Sequence, residues 1–504
     1  MMIAPASPDS APSHGLYTAA QAYALDAAAI ASGIPSIQLM KRAGRAAFNL
    51  LLARFANPGL ISVYCGGGNN GGDGYVLAAL AAQRRLPVQV IQLVAPGDLK
   101  GEALQAYEFA LQEGVTMRRF AADTQPEQGM IVDALLGIGL RGEPRPDMLA
   151  AIAQINSAGL PVLALDIPSG LNADTGAVQG DAVRAGLTLS FIGLKRGLLT
   201  GRGPAYCGEV LVDQLDLPAD VFEQVPAAAE RLSLPALQSL LAPRAADAHK
   251  GDFGHVMVIG GDTGYGGAAL MAAEAAARSG AGLVSIATRP EHIPAILARR
   301  PEIMACGVVS GQELEPWLAR PTVLVVGPGL GRSPWSEQML QQAVKTGLPL
   351  VLDADALNIL AAGRVVRNPK GRQRWLLTPH PAEAARLLGV TTAEVQADRF
   401  AAVAELQTRY EAAVILKGAG SLVASAERPV GLVTDGNPGM ATGGMGDVLS
   451  GILGALLAQG LAFCDAARLG AVLHACAADL AADEHGQRSL LAADLVPYLG
   501  ELLG

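Results

Sequence analysis

The chain has 504 residues, too many for one ordinary domain; the usual scaling gives roughly two to four. Charged residues make up only 16% and the formal net charge is −9 with no basic run or stripe, which argues against a nucleic-acid surface and requires anionic ligands to be held locally. Apolar residues reach 51% while aromatics are 4%, so the cores are expected to be aliphatic and alanine-rich, with closely packed helices.

Cys65, Cys207, Cys306, Cys464 and Cys476 are odd in number and lack CxxC spacing. Neither a disulfide framework nor a zinc site is indicated, and a reducing cytoplasmic setting fits. A mean hydropathy of +0.31 raises the membrane question. The longest charge-free apolar stretch, 448–464, contains Ser450, Gln459 and three glycines, and reads as a buried helix rather than a membrane span. Residues 1–15, rich in Pro, Ser and Ala without a basic n-region, read as a disordered tail.

From Tyr17 to about Phe55 the apolar periodicity predicts two helices, broken near Gly33-Ile34-Pro35. A strand over 60–65 then runs into a glycine loop, 66–74, followed by a helix from Tyr75 to Arg84. Strand, glycine loop and helix form the usual phosphate cradle of a doubly wound fold, although this loop is neither GxGxxG nor a P-loop. Further strands are predicted at 130–132, leading into Asp133, and at 161–165, leading into Asp166 and Ser169; two more lie at 187–192 and 210–212. In a parallel sheet these strand ends share one edge, so Asp133, Asp166, Ser169 and residues 69–73 should surround one crevice. Carboxylates facing a ligand phosphate repel it unless a cation intervenes, and Asn70, Asp133 and Ser169 could hold one. The structural alternative is that each Asp merely caps the next helix.

Asn69-Asn70-Gly71-Gly72-Asp73-Gly74, the run from Asp133 to Gly139 and Asp166-Ile167-Pro168-Ser169-Gly170 resemble the NAD(P)H-hydrate epimerase family across roughly residues 15–215. The resemblance implies a Rossmann-like three-layer domain. Hydrated NADH or NADPH would bind through Asn69, Asn70, Gly71, Gly72 and Asp73, through Gly137, Ile138, Gly139, Leu140, Arg141, Gly142 and Glu143, and through Asp166. It also implies potassium at Asn70, Asp133 and Ser169.

Residues 218–244 are rich in Pro and Ala and read as a linker carrying short helices and no strong strand. The βα rhythm restarts at His255, with strands predicted at 255–259, 283–287, 322–326, 348–352, 375–378 and 413–416. Special residues again follow strands: Gly327-Pro328-Gly329, Asp353, His380-Pro381-Ala382-Glu383 and Lys417-Gly418-Ala419-Gly420-Ser421. The strand-end rule gathers them into one cleft with Asp447, which closes the glycine-rich run Gly436 to Gly446 ahead of an apolar helix. Amides converging at a helix N-terminus favour an anion, and a carboxylate beside them suits proton abstraction from a hydroxyl that attacks phosphorus. The simpler alternative is that Asp447 is an N-cap.

These motifs, with Gly264-Tyr265-Gly266-Gly267-Ala268, resemble the ADP-dependent NAD(P)H-hydrate dehydratase family of the ribokinase-like superfamily over about residues 230–504. That implies adenine-nucleotide binding by Lys417, Gly418, Ala419, Gly420, Ser421 and Gly446, and contact of Ala268, Gly329, His380 and Asp447 with the hydrate. Magnesium would arrive with ADP. Ribokinase relatives often carry Asn-x-x-Glu where this chain has His380 to Glu383.

The sequence therefore predicts two α/β domains, 16–217 Rossmann-like and 245–504 ribokinase-like, joined by 218–244. Asp166 is the expected acid/base of an epimerase, Asp447 the expected base of a dehydratase, and a homo-oligomer of four or more chains is expected. Two readings compete: a small-alcohol kinase with an accessory domain, and a binding or scaffold role for the first half with its loop retained only as structure.

Overall fold

The computed structural model describes residues 14–123, 128–140, 142–366 and 374–504; residues 1–13 of the expected tail, and Arg141, lie outside them. The chain forms two compact units, one ending at Glu230 and the other starting at Arg231.

The first unit contains β1 (Gly15–Tyr17), β2 (Ile61–Cys65), β3 (Val88–Gln92), β4 (Thr116–Arg119), β5 (Met130–Ala134), β6 (Val162–Leu165), β7 (Leu187–Phe191), β8 (Leu194–Lys195) and β9 (Glu209–Asp213). Seven of these make one parallel sheet in the order β4-β3-β2-β5-β6-β7-β9. The chain order reverses between β2 and β5, and that is the position at which a doubly wound sheet opens a crevice beyond its carboxyl ends. All five residues of β2, β5 and β7 are buried, as strands covered on both faces require. The two expected N-terminal helices are present as Ala19–Ala31 and Ser36–Arg54.

Three local expectations change. Residues 69–74 are not loop but the first turns of helix Asn69–Gln83, although glycine costs roughly 1 kcal/mol per helical position. Close packing overrides that cost. A Cβ on Gly74 would stand 2.6 Å from Ala134 Cβ and 3.0 Å from Cys65 Sγ, and one on Gly71 would stand 2.1 Å from Gly66 O. The glycines let this helix lie directly on β2 and β5. Next, β5 runs through Asp133 to Ala134, so Asp133 is a strand residue registered with Tyr64 and Ala164. Finally, the supposed strand-free linker contains β10 (Ala229–Leu232), whose Glu230 pairs with Gly15 of β1. Short helices Ala219–Gln224 and Leu234–Leu237 flank it. Val221 joins the first core, and Leu232 and Leu237 join the second, so this segment belongs to the units it was expected to separate.

The second unit adds β11 (His255–Ile259), β12 (Leu283–Thr288), β13 (Met304–Gly307), β14 (Val323–Val326), β15 (Leu350–Leu352), β16 (Trp375–Leu377), β17 (Ala413–Leu416), β18 (Ser421–Ala424) and β19 (Val430–Val433). Their order is β13-β12-β11-β14-β15-β16-β17-β18-β19, parallel up to β17 and antiparallel beyond. Ser421 thus opens a strand instead of closing a loop. The apolar stretch after Asp447 is helix Met445–Ala458, buried against helix Gly266–Arg278; a Cβ on Gly451 would stand 2.1 Å from Ala272 O. Among the described residues no helix is long and apolar enough to cross a membrane.

Candidate active sites

At the β2/β5 switch point of the first unit lies a cleft of about 870 Å³. Asn69, Asn70, Asp73, Gly137, Ile138, Gly139, Leu140, Glu143 and Asp166 line it. Gly71 and Gly72 sit instead in the packed helix, where a Cβ would meet Gly66 and Met40 respectively, and Gly142 is not in the wall.

Asp166 follows β6 in a left-handed conformation, φ 64°, which is costly for a side-chain-bearing residue and aims its carboxylate into the cleft. Its N–H donates to Leu189 O at 2.7 Å, and its Oδ1 accepts from Phe191 N at 3.2 Å and from the Lys195 ammonium. Lys195 is 2% exposed and also donates to Phe191 O at 2.7 Å. Sequence reasoning missed this lysine; its signal was the Lys195-Arg196 pair inside the otherwise uncharged run 187–199.

Asp26, on helix Ala19–Ala31, was missed as well. Burial pushes its carboxyl up to about 6, with Lys195 opposing and Asp166 reinforcing. Asp73 is pushed well above the ordinary range, first by burial, then by Asp166 and Asp26. Three carboxylates therefore share one ammonium.

Beneath the cleft, fully buried Asp133 accepts from Ser169 Oγ at 2.6 Å, Ser169 N at 2.8 Å and Leu135 N at 3.2 Å. Burial pushes it up to about 6 against those hydrogen bonds. Asn70 donates its amide to Leu136 O at 3.1 Å, and its own Oδ1 is buried without a hydrogen-bond partner. Ser169 Oγ accepts from Leu136 N at 2.8 Å, so Asn70 and Ser169 meet at Leu136, and Asp133 joins them through Ser169. Amide, hydroxyl and a single carboxylate oxygen suit a hard, weakly held cation. The orphaned Asn70 oxygen is a position such an ion fits. Among the described residues no group of three or more His, Cys, Asp or Glu could hold a metal.

In the second unit the chemistry concentrates at the carboxyl ends of β15, β16 and β17. Asp353, 1% exposed, accepts from Lys417 Nζ at 2.7 Å and from Ser450 Oγ at 2.9 Å. Burial works to raise its pKa, but Lys417 and the hydrogen bonds from Thr378 and Ser450 outweigh it and hold Asp353 below the usual carboxylate range. Burial likewise pulls Lys417 down, and Asp353, Glu383 and Asp447 together raise it. Asp353 stood among the special strand-end residues without a role; it is the anchor of the cluster.

A Cβ on Gly446 would stand 3.1 Å from Lys417 Nζ and 3.2 Å from Asp353 Oδ2, which joins the expected nucleotide residues at one point. Buried Arg399, which had no sequence signal, shapes the loop after β17 by donating to Leu416 O at 3.2 Å, Lys417 O at 3.3 Å and Gly420 O at 3.4 Å.

Asp447 caps nothing. The N-cap is Gly444, left-handed at φ 94°, and Asp447 is the third helical residue. The first backbone bond of the helix runs from Val448 N to Gly444 O, which leaves the amides of Met445, Gly446 and Asp447 directed out of its N-terminus. Burial pushes Asp447 up to about 7, Asp353 adding and Lys417 opposing. Glu383 is pushed up to about 7 as well, by burial first. His380 is the N-cap of helix Pro381–Leu388: Nδ1 accepts from Ala382 N at 3.1 Å, and Nε2 lies 3.2 Å from Glu383 Oε1. Burial, with Lys417 and Arg386, lowers its pKa. Ala268 and Gly329 adjoin each other, a Cβ on Gly329 falling 3.0 Å from Ala268 Cβ.

Comparison with known proteins matches both units. A family model described as NAD(P)H-hydrate dehydratase matches residues 256–500, and one described as YjeF-related protein N-terminus matches residues 36–197. The bifunctional NAD(P)H-hydrate repair enzyme of Coxiella burnetii is 50% identical over 97% of this chain and 99% of its own. That of Escherichia coli is 43% identical over 94% of this chain and 90% of its own. A solved Streptococcus mutans protein, 29% identical, covers 54% of this chain and 98% of itself at a TM-score of 0.50.

Proposed function

The chain belongs to the family of bifunctional NAD(P)H-hydrate repair enzymes, an epimerase fused to a dehydratase, and on that premise we propose which residues carry each step. The hydroxyl on C6 of the hydrated nicotinamide adjoins the ring nitrogen, so the centre is a hemiaminal that can open and close. In the first cleft Asp166, fixed by Lys195 and Phe191 N–H, moves the proton at that hydroxyl oxygen. Its Oδ2 lies 3.8 Å from where a Cβ on Gly137 would be, so substrate can lie along the 137–140 wall. Asn69, Asn70, Asp73 and Glu143 orient it against the wall formed by Gly137, Ile138, Gly139 and Leu140. Asn70, Asp133 and Ser169 would hold potassium, which when bound offsets the carboxylates facing the ligand phosphates.

In the second cleft hydroxide is a poor leaving group, and phosphorylation from ADP converts it into phosphate. Asp447 takes the C6 hydroxyl proton as the oxygen attacks the β-phosphorus; AMP leaves. The amides of residues 443–446 meet the transferring phosphoryl, and Lys417, held by Asp353, neutralises the nucleotide. The ring nitrogen lone pair then expels phosphate from C6, and loss of a proton from C5 of the resulting iminium restores the dihydronicotinamide. Magnesium bound with ADP would supply further charge neutralisation. Ala268, Gly329 and His380 contact the hydrate, and residues 417–421 with Gly446 contact the nucleotide.

The observation that carries this reading is Asp447 raised to about 7 beside outward-pointing helix amides and the Lys417–Asp353 pair. The test is to supply prepared hydrate epimers with ADP and follow dihydronicotinamide absorbance and AMP. One AMP per NAD(P)H supports it; a stable phosphorylated product overturns it.

A further inference from the structure

The run from Gly436 to Gly444 has few regular backbone bonds, yet it must end with its amides in a fixed place. What holds it is helix Phe463–His485. Asp479 on that helix accepts from Gly436 N at 2.8 Å with one carboxylate oxygen and from Asn437 Nδ2 at 2.9 Å with the other. Asn437 Nδ2 also donates to Ala478 O at 3.0 Å, and its Oδ1 accepts from Gly439 N at 3.0 Å. Every polar atom of the Asn437 side chain is thereby used. Just upstream, Arg231 Nε donates to Thr434 Oγ1 at 3.0 Å, fixing the entry to the run. The far end lies against the same helix, where the buried His474 ring faces the Met445 backbone. Positions 474 and 478 lie about one turn apart on one face of that helix, and Asp479 follows directly.

We propose that Asp479 is a positioning residue for nucleotide-dependent dehydration: by clamping Gly436 and Asn437 it fixes where the amides of residues 443–446 stand. This rests on the reading of those amides as the phosphoryl site. Bonds to a carboxylate are the stronger class of hydrogen bond, and here two converge on one group at the hinge of a glycine-rich segment. Asp479 touches no reacting atom, so its effect is transmitted through the loop. Misplacement of pre-aligned donors is felt most in the transition state, hence in kcat more than in KM.

The test uses the full chain with Asp479→Ala, Asp479→Asn and the exchange Asp479→Asn with Asn437→Asp. Asp479→Ala should lower kcat of dehydration at least tenfold with the KM for ADP shifted less than threefold. Epimerisation should be unchanged, and hydrogen exchange should accelerate in peptides spanning 436–446. Asp479→Asn keeps one acceptor and should lose less; the exchange restores a donor–acceptor pair and should recover part of kcat relative to Asn437→Asp alone. A merely structural role predicts a lower melting temperature with parental kcat per folded molecule, and that result, or unchanged exchange in 436–446, overturns the proposal. If Asp479→Ala fails to fold, the Asn variant and the exchange decide by the same criteria. Parental dehydration in Asp447→Asn would instead overturn the underlying site reading.

Discussion

Replacing Asp447 by Asn removes the base while keeping shape and volume, and the structure assigns the change two opposite consequences. As a general base, its loss should reduce ADP-dependent dehydration by about a hundredfold or more. Stability should move the other way. The carboxyl shifts from 3.8 in the unfolded chain to about 7 in the folded one, because burial and Asp353 disfavour its charge. Its ionised form therefore costs up to about 4 kcal/mol on folding. A raised carboxyl means that the folded chain binds more protons than the unfolded chain between those values, so this residue lowers stability as pH climbs from about 4 to about 7. It adds nothing further above 7. Asn does not titrate, so the variant should match the parent near pH 4 and exceed it by a margin that grows to a few kcal/mol at pH 8. Chemical unfolding of parent and variant at pH 4.5, 6 and 8, with turnover at pH 8, measures both. Helix capping would leave turnover near normal and stability within a few tenths of a kcal/mol at every pH, and that pattern would refute the catalytic assignment.

Dehydration by the parent should rise with pH through about 7, and because Glu383 is also raised to about 7, Glu383→Gln should leave that inflection in place while Asp447→Asn abolishes it. Asp353→Asn leaves the Lys417 ammonium without its buried partner and should destabilise the second unit by about 3–5 kcal/mol, read by thermal unfolding. Asp133→Ala should slow epimer exchange and remove its potassium dependence; a parent enzyme indifferent to potassium would refute the cation site. Division between residues 230 and 231 should give two folded fragments, whereas division near residue 245 strips buried Leu232 and Leu237 from the second core and should cost that fragment about 2–5 kcal/mol for each leucine lost, measured by denaturant unfolding.

The strands with the strongest apolar runs were legible in the sequence. Residues 255–259 and 413–416 are found as β11 and β17 with the bounds expected, since runs buried on both faces carry a strong signal. What the pattern concealed was set by long-range packing. The glycines of 69–74 read as loop by their intrinsic propensity and are helical because β2 and β5 admit no Cβ there. The four-residue strand β10 could not be told from linker, because what defines it is pairing with β1 more than two hundred residues earlier. Strand-end logic gathered the second site's residues, yet nothing in the one-dimensional pattern distinguishes Asp353, buried on Lys417, from the half-buried Asp355 two positions on. Lys195 and Asp26 reach Asp166 from separate elements, and no spacing rule links them.

The central claim is that two successive reactions occupy two separate sites in one chain, and the most direct measurement is the extent of NAD(P)H recovery from an equal mixture of hydrate epimers supplied with excess ADP. The parent should convert the whole mixture. Asp166→Ala should stop after the S epimer is spent, with the remainder following only at the uncatalysed exchange rate, while Asp447→Asn should recover almost nothing yet still interconvert the epimers. Complete conversion by Asp166→Ala at the parental rate, or loss of epimer exchange in Asp447→Asn, would contradict the account.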